Sequence, residues 1–347
     1  MRRNRRLTLT AWLASILCGY ALTSNHAVLA RGQMSPTPTV TGQPASLTEL
    51  SVPTPNAAPI DVAIAVDGSL WLTEKNANKI ARLAHDGTLT EYAIPTASSA
   101  PEWITATPSG YVWFTERYGR KIGRIRYSGG PIAEFAVPGT GAFPTAITTD
   151  ANGKVWIALN QQPNLARIGS ISSTGVITLV PTAASQTMIT GIVKGPDGNL
   201  WATQVSSYWG DSVARINTAG WGTFTNYRLA NRSAGPQHIT VGPDDSLWFT
   251  EANAAKIGRI TTTGSIAEFA LTSGARPQRI AAGPDGNLWF TERYPDQVGQ
   301  ITTAGLVSEF AIPTPSSQPL GIIGDGAAEV YFAEQAGNRI RLIAWPL

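Results

Sequence analysis

A tight turn followed by an apolar residue and then Trp returns at almost constant intervals, and this repeat limits the chain to few folds. It reads Asp67-Gly68-Ser69-Leu70-Trp71, Ser109-Gly110-Tyr111-Val112-Trp113, Asn152-Gly153-Lys154-Val155-Trp156, Asp197-Gly198-Asn199-Leu200-Trp201, Asp244-Asp245-Ser246-Leu247-Trp248 and Asp285-Gly286-Asn287-Leu288-Trp289. A degenerate seventh copy ends at Val330-Tyr331, and successive aromatic positions lie 41 to 47 residues apart. A period of that length marks one supersecondary unit that cannot bury its apolar face without its neighbours.

The punctuation inside a copy is that of hairpins. In the copy beginning at Pro236, an apolar run at 239–241 leads to a turn at Asp244-Asp245 and a second run at Leu247–Glu251. Asn253-Ala254 breaks that run, Lys256–Ile260 follows, and Thr263-Gly264 turns the chain into 265–271. Asp-Gly and Thr-Gly pairs suit turns that need positive φ. Four short strands per repeat and no sustained helical pattern predict an all-β, seven-bladed β-propeller with four-stranded antiparallel blades. The repeated Trp residues are expected to wedge between blades.

Closure is also legible. The last copy runs out of chain after its third strand. The segment Leu47-Thr48-Glu49-Leu50-Ser51-Val52-Pro53-Thr54-Pro55 matches outer strands such as Glu309-Phe310-Ala311-Ile312-Pro313-Thr314-Pro315. The N-terminal strand is therefore expected to complete the last blade, leaving no open edge.

Composition works by exclusion. Charged residues are 14% of the chain, with Gly 34 and Pro 24 of 347 residues, which rules out a coiled coil or collagen. Residues 1–30 read as a secretory signal: Arg2, Arg3, Arg5 and Arg6 precede an apolar run, and Val28-Leu29-Ala30 offers small residues for cleavage. Residues 31–46 read as a flexible lead-in and 47–347 as the propeller. A secreted or periplasmic monomer without a membrane span follows. Removing the leader leaves 22 basic against 23 acidic residues, so the chain has no basic excess for nucleic acid. Cys18 goes with the leader, leaving neither a disulfide nor a thiolate metal site.

Propeller geometry places the loops entering the inner strands on the same end as the loops between second and third strands. That end gathers Asp61, Glu102, Trp103, Gln237, His238, Gln278 and Arg279 with Arg117, Tyr118, Tyr208, Trp209, Arg293 and Tyr294. The opposite end carries mostly Asp, Gly, Asn and Thr turns. Aromatic residues with a few polar groups at a concave mouth suit a small-molecule or peptide ligand. The Glu closing each Thr-Glu step (Glu74, Glu116, Glu251, Glu292) repeats with the blade. It is expected to bond the backbone of a neighbouring blade.

The units Leu247-Trp248-Phe249-Thr250-Glu251, Lys256-Ile257-Gly258-Arg259-Ile260 and Glu268-Phe269-Ala270-Leu271 resemble the virginiamycin B lyase (streptogramin lyase) family across the chain from about Leu47. That resemblance implies a seven-bladed propeller and a Mg²⁺-dependent elimination opening the lactone of a cyclic depsipeptide. It also implies a His after the Pro that begins the inner strand in each of the last two blades, a Glu before the second of those Pro residues, and a Glu after the last aromatic strand. Gln278, Leu320 and Gln318 stand at the first three positions, and Glu334 matches the fourth. Neither Gln nor Leu is a general base at neutral pH. His238 lies one blade earlier and one residue later, which strand alternation would turn to the opposite face. The catalytic candidates are Glu334 and His238, with the metal ligands undetermined. The alternatives are a non-enzymatic binding propeller, and a metal-dependent lactone hydrolase using Asp61 and Glu102.

Overall fold

The computed structural model describes residues 30–32, 46–161, 165–180, 184–218 and 222–344. Most of the expected leader and lead-in lies outside the described residues. Among those described, the strands form seven antiparallel sheets, and no helix is long and apolar enough to cross a membrane. Blade 1 comprises Pro59–Ile64, Leu70–Glu74, Lys79–Leu83 and Leu89–Ala93. The inner strands of blades 2 to 6 are Pro101–Thr107, Ala142–Thr149, Met188–Lys194, Pro236–Val241 and Pro277–Ala282. Each lies beside the next, and the inner strand of blade 7, Pro319–Gly324, closes against blade 1. Together they surround the propeller axis, the channel position of this fold.

Closure follows the expectation. Ser46–Ser51 pairs with Arg339–Ala344, Ser46 opposite Ala344 and Ser51 opposite Arg339. Ala30–Gly32, the last residue of the expected leader and the first two of the expected lead-in, pairs along the outer side of Ser46–Ser51. The Asn338 side chain donates to Val52 O (3.2 Å) and Thr54 O (3.0 Å) and accepts from Ala57 N (2.7 Å), tying the end of the chain to its beginning. Behind this clasp the buried Arg341 is shared by Glu49, at 3.0 Å, and Glu334.

The turn-Trp motif has a packing reason. Trp201, Trp248 and Trp289 donate their indole N–H groups to Asp197, Asp244 and Asp285 of their own turns, at 3.0, 2.9 and 3.2 Å. The indoles of Trp71, Trp201, Trp248 and Trp289 stack on Tyr92, Tyr227, Phe269 and Phe310 of the outer strands, with ring centroids 5.6 to 6.0 Å apart. Trp71 packs with Ile104 and Phe114 of blade 2, and Trp248 with Ile280 and Phe290 of blade 6. They are interblade wedges, each fully buried and worth about 2–3 kcal/mol of apolar transfer. Gly258 belongs to the same design, because a Cβ there would lie 2.1 Å from the Phe249 ring.

The repeated Glu behaves differently from expectation. Glu74, Glu116, Glu251 and Glu292 are buried at the ends of their strands, with both carboxyl oxygens unbonded to backbone. Each faces an outer-strand partner: Glu91, Glu134, Glu268 and Glu309. Burial and that second carboxylate push the four up to about 8, 8, 7 and 9 respectively. The outer glutamates make the interblade bonds instead. Thr54 N donates to Glu91 at 2.9 Å, Thr96 N to Glu134 at 3.0 Å and Thr272 N to Glu309 at 2.9 Å. Lys121 and Lys256 neutralise Glu134 and Glu268 at 3.0 and 2.6 Å, and Lys79 does the same for Glu91. Blade 6 has Gln297 where these lysines stand.

Candidate functional site

The channel mouth is built by a bulge repeated in every inner strand. Pro236 lies opposite Glu251 and Ile239 opposite Phe249, so Gln237 and His238 together oppose Thr250 alone. Blades 1, 2, 6 and 7 repeat this shift, and in blades 3 and 4 the extra residue, Thr145 or Thr190, falls at the same place. The Thr of the Thr-Glu step holds the bulge. Its Oγ1 accepts from the N–H of Asp61, Trp103, His238 or Arg279 at 3.0 to 3.2 Å. Thr73, Thr250 and Thr291 also donate to the carbonyls of Glu102, Gln278 and Leu320 in the next blade, at 3.1, 2.9 and 2.6 Å. One hydroxyl thereby fixes two blades.

The bulge corrects the expectation that His238 faces away from the channel, because an extra residue breaks the two-residue alternation. The His238 imidazole stacks on Trp103, from the far side of the ring of blades, with centroids 5.3 Å apart and planes at 24°. The Arg279 guanidinium lies over the same indole, 3.3 Å from its centroid. Ala146, Gly191 and Gly321 occupy the equivalent positions in blades 3, 4 and 7. The layer thus holds one large plate, Trp103, set among small neighbours. A Cβ on Gly321 would lie 2.5 Å from Asp61 Cα.

The ionisable groups of this layer are mostly committed. Glu102 is paired with Lys75 at 2.8 Å and Arg117 at 3.2 Å. Asp61 Oδ2 accepts from Ile104 N at 3.1 Å, and burial raises its carboxyl above the usual range against the pull of Arg279. His238 Nδ1 accepts from Ile280 N at 3.2 Å, which places the proton of the neutral ring on Nε2. Enclosure, and then the neighbouring Arg279 charge, hold His238 well below the usual histidine range. Its ring therefore offers a donor at neutral pH and no free basic lone pair. Arg279 is buried, and its Nη1 has no hydrogen-bond partner among the described residues.

The other candidates form a rim. Tyr118, Tyr208, Trp209 and Tyr294 are exposed. Tyr208 and Trp209 meet edge to face at 4.6 Å, and Arg276 lies over Tyr294. Arg293 donates to Gln318 Oε1 at 2.7 Å. Gln237 and Gln278 donate back to Gly235 O and Arg276 O, at 3.4 and 3.3 Å. Glu334 stands apart, turned into blade 7 against Arg341, where burial raises its carboxyl and Arg341 opposes the rise. Lys75 was not among the sequence candidates. It follows Glu74 in the loop between the second and third strands, and only the fold shows that it crosses to Glu102.

Mg²⁺ is the metal that the resemblance implies, and this layer does not suit it. Its two acids already serve backbone and cations, and Arg279 adds further positive charge. Mg²⁺ is held through open carboxylate oxygens and water. Among the described residues no group of three or more His, Cys, Asp or Glu side chains is placed to hold a metal.

Comparison with known proteins gives one consistent result. The model of the virginiamycin B lyase family matches residues 33–221 and 166–345, two overlapping stretches, as a repeat allows. Virginiamycin B lyase from Staphylococcus aureus is 33% identical over 86% of this chain and 99% of its own, with a TM-score of 0.78. A catalytically inactive His-to-Ala variant of that lyase, solved with quinupristin, matches at the same identity, coverage and TM-score of 0.78. A streptogramin B lyase structure matches at 33% identity over 86% of this chain and 97% of its own, with a TM-score of 0.77.

Proposed function

We infer that this chain, which belongs to the virginiamycin B lyase family, binds a partly apolar peptide at the channel mouth and lacks the elimination chemistry of the related lyases. One observation carries the reading: Gln278 and Leu320 stand where the family's histidines are expected, and the His238 imidazole, the one in this layer among the described residues, has its Nδ1 lone pair bound by Ile280 N–H. An elimination needs a base that removes a proton from carbon, and a general base must present a free lone pair within reach of that proton. Binding asks less of the same layer. The Trp103 plate offers apolar area, and His238 Nε2–H and Arg279 Nη1 offer donors. The exposed rim rings can cover side chains of a ligand lying across the mouth.

Identity to proven lyases over the whole propeller favours a second reading, in which His238 is the base and quinupristin-like lactones are substrates. One experiment separates the two. The purified protein is incubated with quinupristin, with and without Mg²⁺, and the mixture is separated by chromatography and analysed by tandem mass spectrometry for a ring-opened isomer of unchanged mass that carries a new C=C bond and a free carboxylate. Binding to a peptide panel is followed by calorimetry. Binding without a Mg²⁺-dependent ring-opened product is expected. Turnover that His238→Ala abolishes would establish the lyase reading instead.

A further inference from the structure

We propose that the ligand presents a carboxylate to the channel, and that Arg279 receives it. The proposal rests on the binding reading above and names the ligand class, an open-chain peptide acid as opposed to a closed lactone. Three observations carry it. First, Arg279 is more than nine-tenths buried, yet its Nη1 has no acceptor among the described residues. A buried charged donor is rarely left unmade, so the missing partner is expected from outside the chain. Second, the guanidinium centre lies over the Trp103 ring, 3.3 Å from its centroid, a contact that limits how the planar fork can turn. A planar fork held in place matches the two oxygens of a carboxylate, and a lone lysine would not.

Third, the local charges leave an excess. Lys75 and Arg117 are both bonded to Glu102. Asp61 gives Oδ2 to Ile104 N–H and acts on Arg279 only through space. Three cations thus face two acids, and the neutral His238 adds a donor at Nε2 on the same indole plate. A lactone carries no carboxylate. Its hydrolysed or eliminated form does, so the site would prefer the opened chain. A peptide could offer this group from its C-terminus or from an acidic side chain.

Calorimetry on the intact protein with three acetylated probes tests the idea. They are phenylalanyl-threonyl-phenylalanine as free acid, the same peptide as C-terminal amide, and an amide with glutamate replacing threonine. The acid, the glutamyl amide or both should bind at least tenfold more tightly than the threonyl amide, and which one does identifies the source of the carboxylate. Arg279→Gln, checked for folding by circular dichroism, should remove that preference, so that all three probes bind the variant within about threefold of one another. If the variant does not fold, the comparison among the three probes on the native protein decides alone. Equal binding of all three would overturn the carboxylate proposal and leave the binding reading standing. No binding of any probe would overturn both.

Discussion

Replacing Glu292 with Gln should stabilise the propeller, by an amount that grows with pH. Glu292 is buried, faces Glu309, and lies in the blade that has Gln297 where blades 1, 2 and 5 have a lysine. Burial, then the Glu309 charge and hydrogen bond, raise its carboxyl from 4.5 to about 9. A carboxyl raised on folding adds stability that is fully present below about pH 4.5. That contribution fades as pH climbs and is gone above about 9. At pH 7 the unfolded side chain is ionised while the folded one keeps its proton, a gap of roughly 2.5 pH units. At about 1.4 kcal/mol per unit, folding at pH 7 forgoes up to about 3 kcal/mol relative to acid conditions. Gln keeps the shape and a donor toward Glu309 without titrating. The variant should match the native protein near pH 4.5 and exceed it by up to about 3 kcal/mol at pH 7, with a wider margin at pH 8.5. Scanning calorimetry at pH 5, 7 and 8.5 reads this as a widening difference in Tm, at about 2 °C per kcal/mol for a domain of this size. Gln297→Lys, which supplies the missing cation, should flatten the native slope. A Glu292→Gln variant that is no more stable at pH 8.5, or whose margin is constant with pH, would refute the reasoning.

Thr291→Val removes the acceptor for Arg279 N–H and the donor to Leu320 O. Leaving both unmade should cost about 2–4 kcal/mol in denaturant unfolding, and a loss under 0.5 kcal/mol would show that the hydroxyl does not fix the bulge. Nitrogen NMR of the His238 ring should show a neutral Nε2–H tautomer from pH 8 down to 6, since its pKa lies well below the usual value. A protonated ring at pH 6, or an Nδ1–H tautomer, would reopen its role as a base.

What the sequence makes legible here is whatever repeats. The repeated turn-Trp steps state the number of blades, and in blades 4, 5 and 6 the turn Asp accepts from the Trp four residues on. The match between 47–55 and the outer strands states how the ring closes. The site was legible only as a collection of candidates. That Trp103 meets His238 and Arg279 depends on ring closure bringing blade 2 opposite blades 5 and 6, and no local period encodes that meeting. The His238 orientation failed for a definite reason: alternation assumes an unbroken strand, and the bulge held by Thr250 inserts one residue. The glutamates failed because repetition marks a structural role without naming its partner. Glu74 and its equivalents face a second acid, whereas Glu91, Glu134 and Glu309 accept from the end of the preceding blade.

The clasp in blade 7 also dictates an order of events. Ser46–Ser51 is synthesised long before Arg339–Ala344, and Asn338 reaches back 286 residues to Val52. Until those late residues arrive, the early strand has a bare edge and Glu49 has no arginine. Joining ends so distant along the chain costs roughly 5 kcal/mol of chain entropy, incurred in a single step. Six sectors can therefore assemble as local hairpins while the disc stays open. The seventh acts as the latch that converts a curved stack into a circle, and a cut or bulky fusion near residue 50 would strip that one sector of its outer strand.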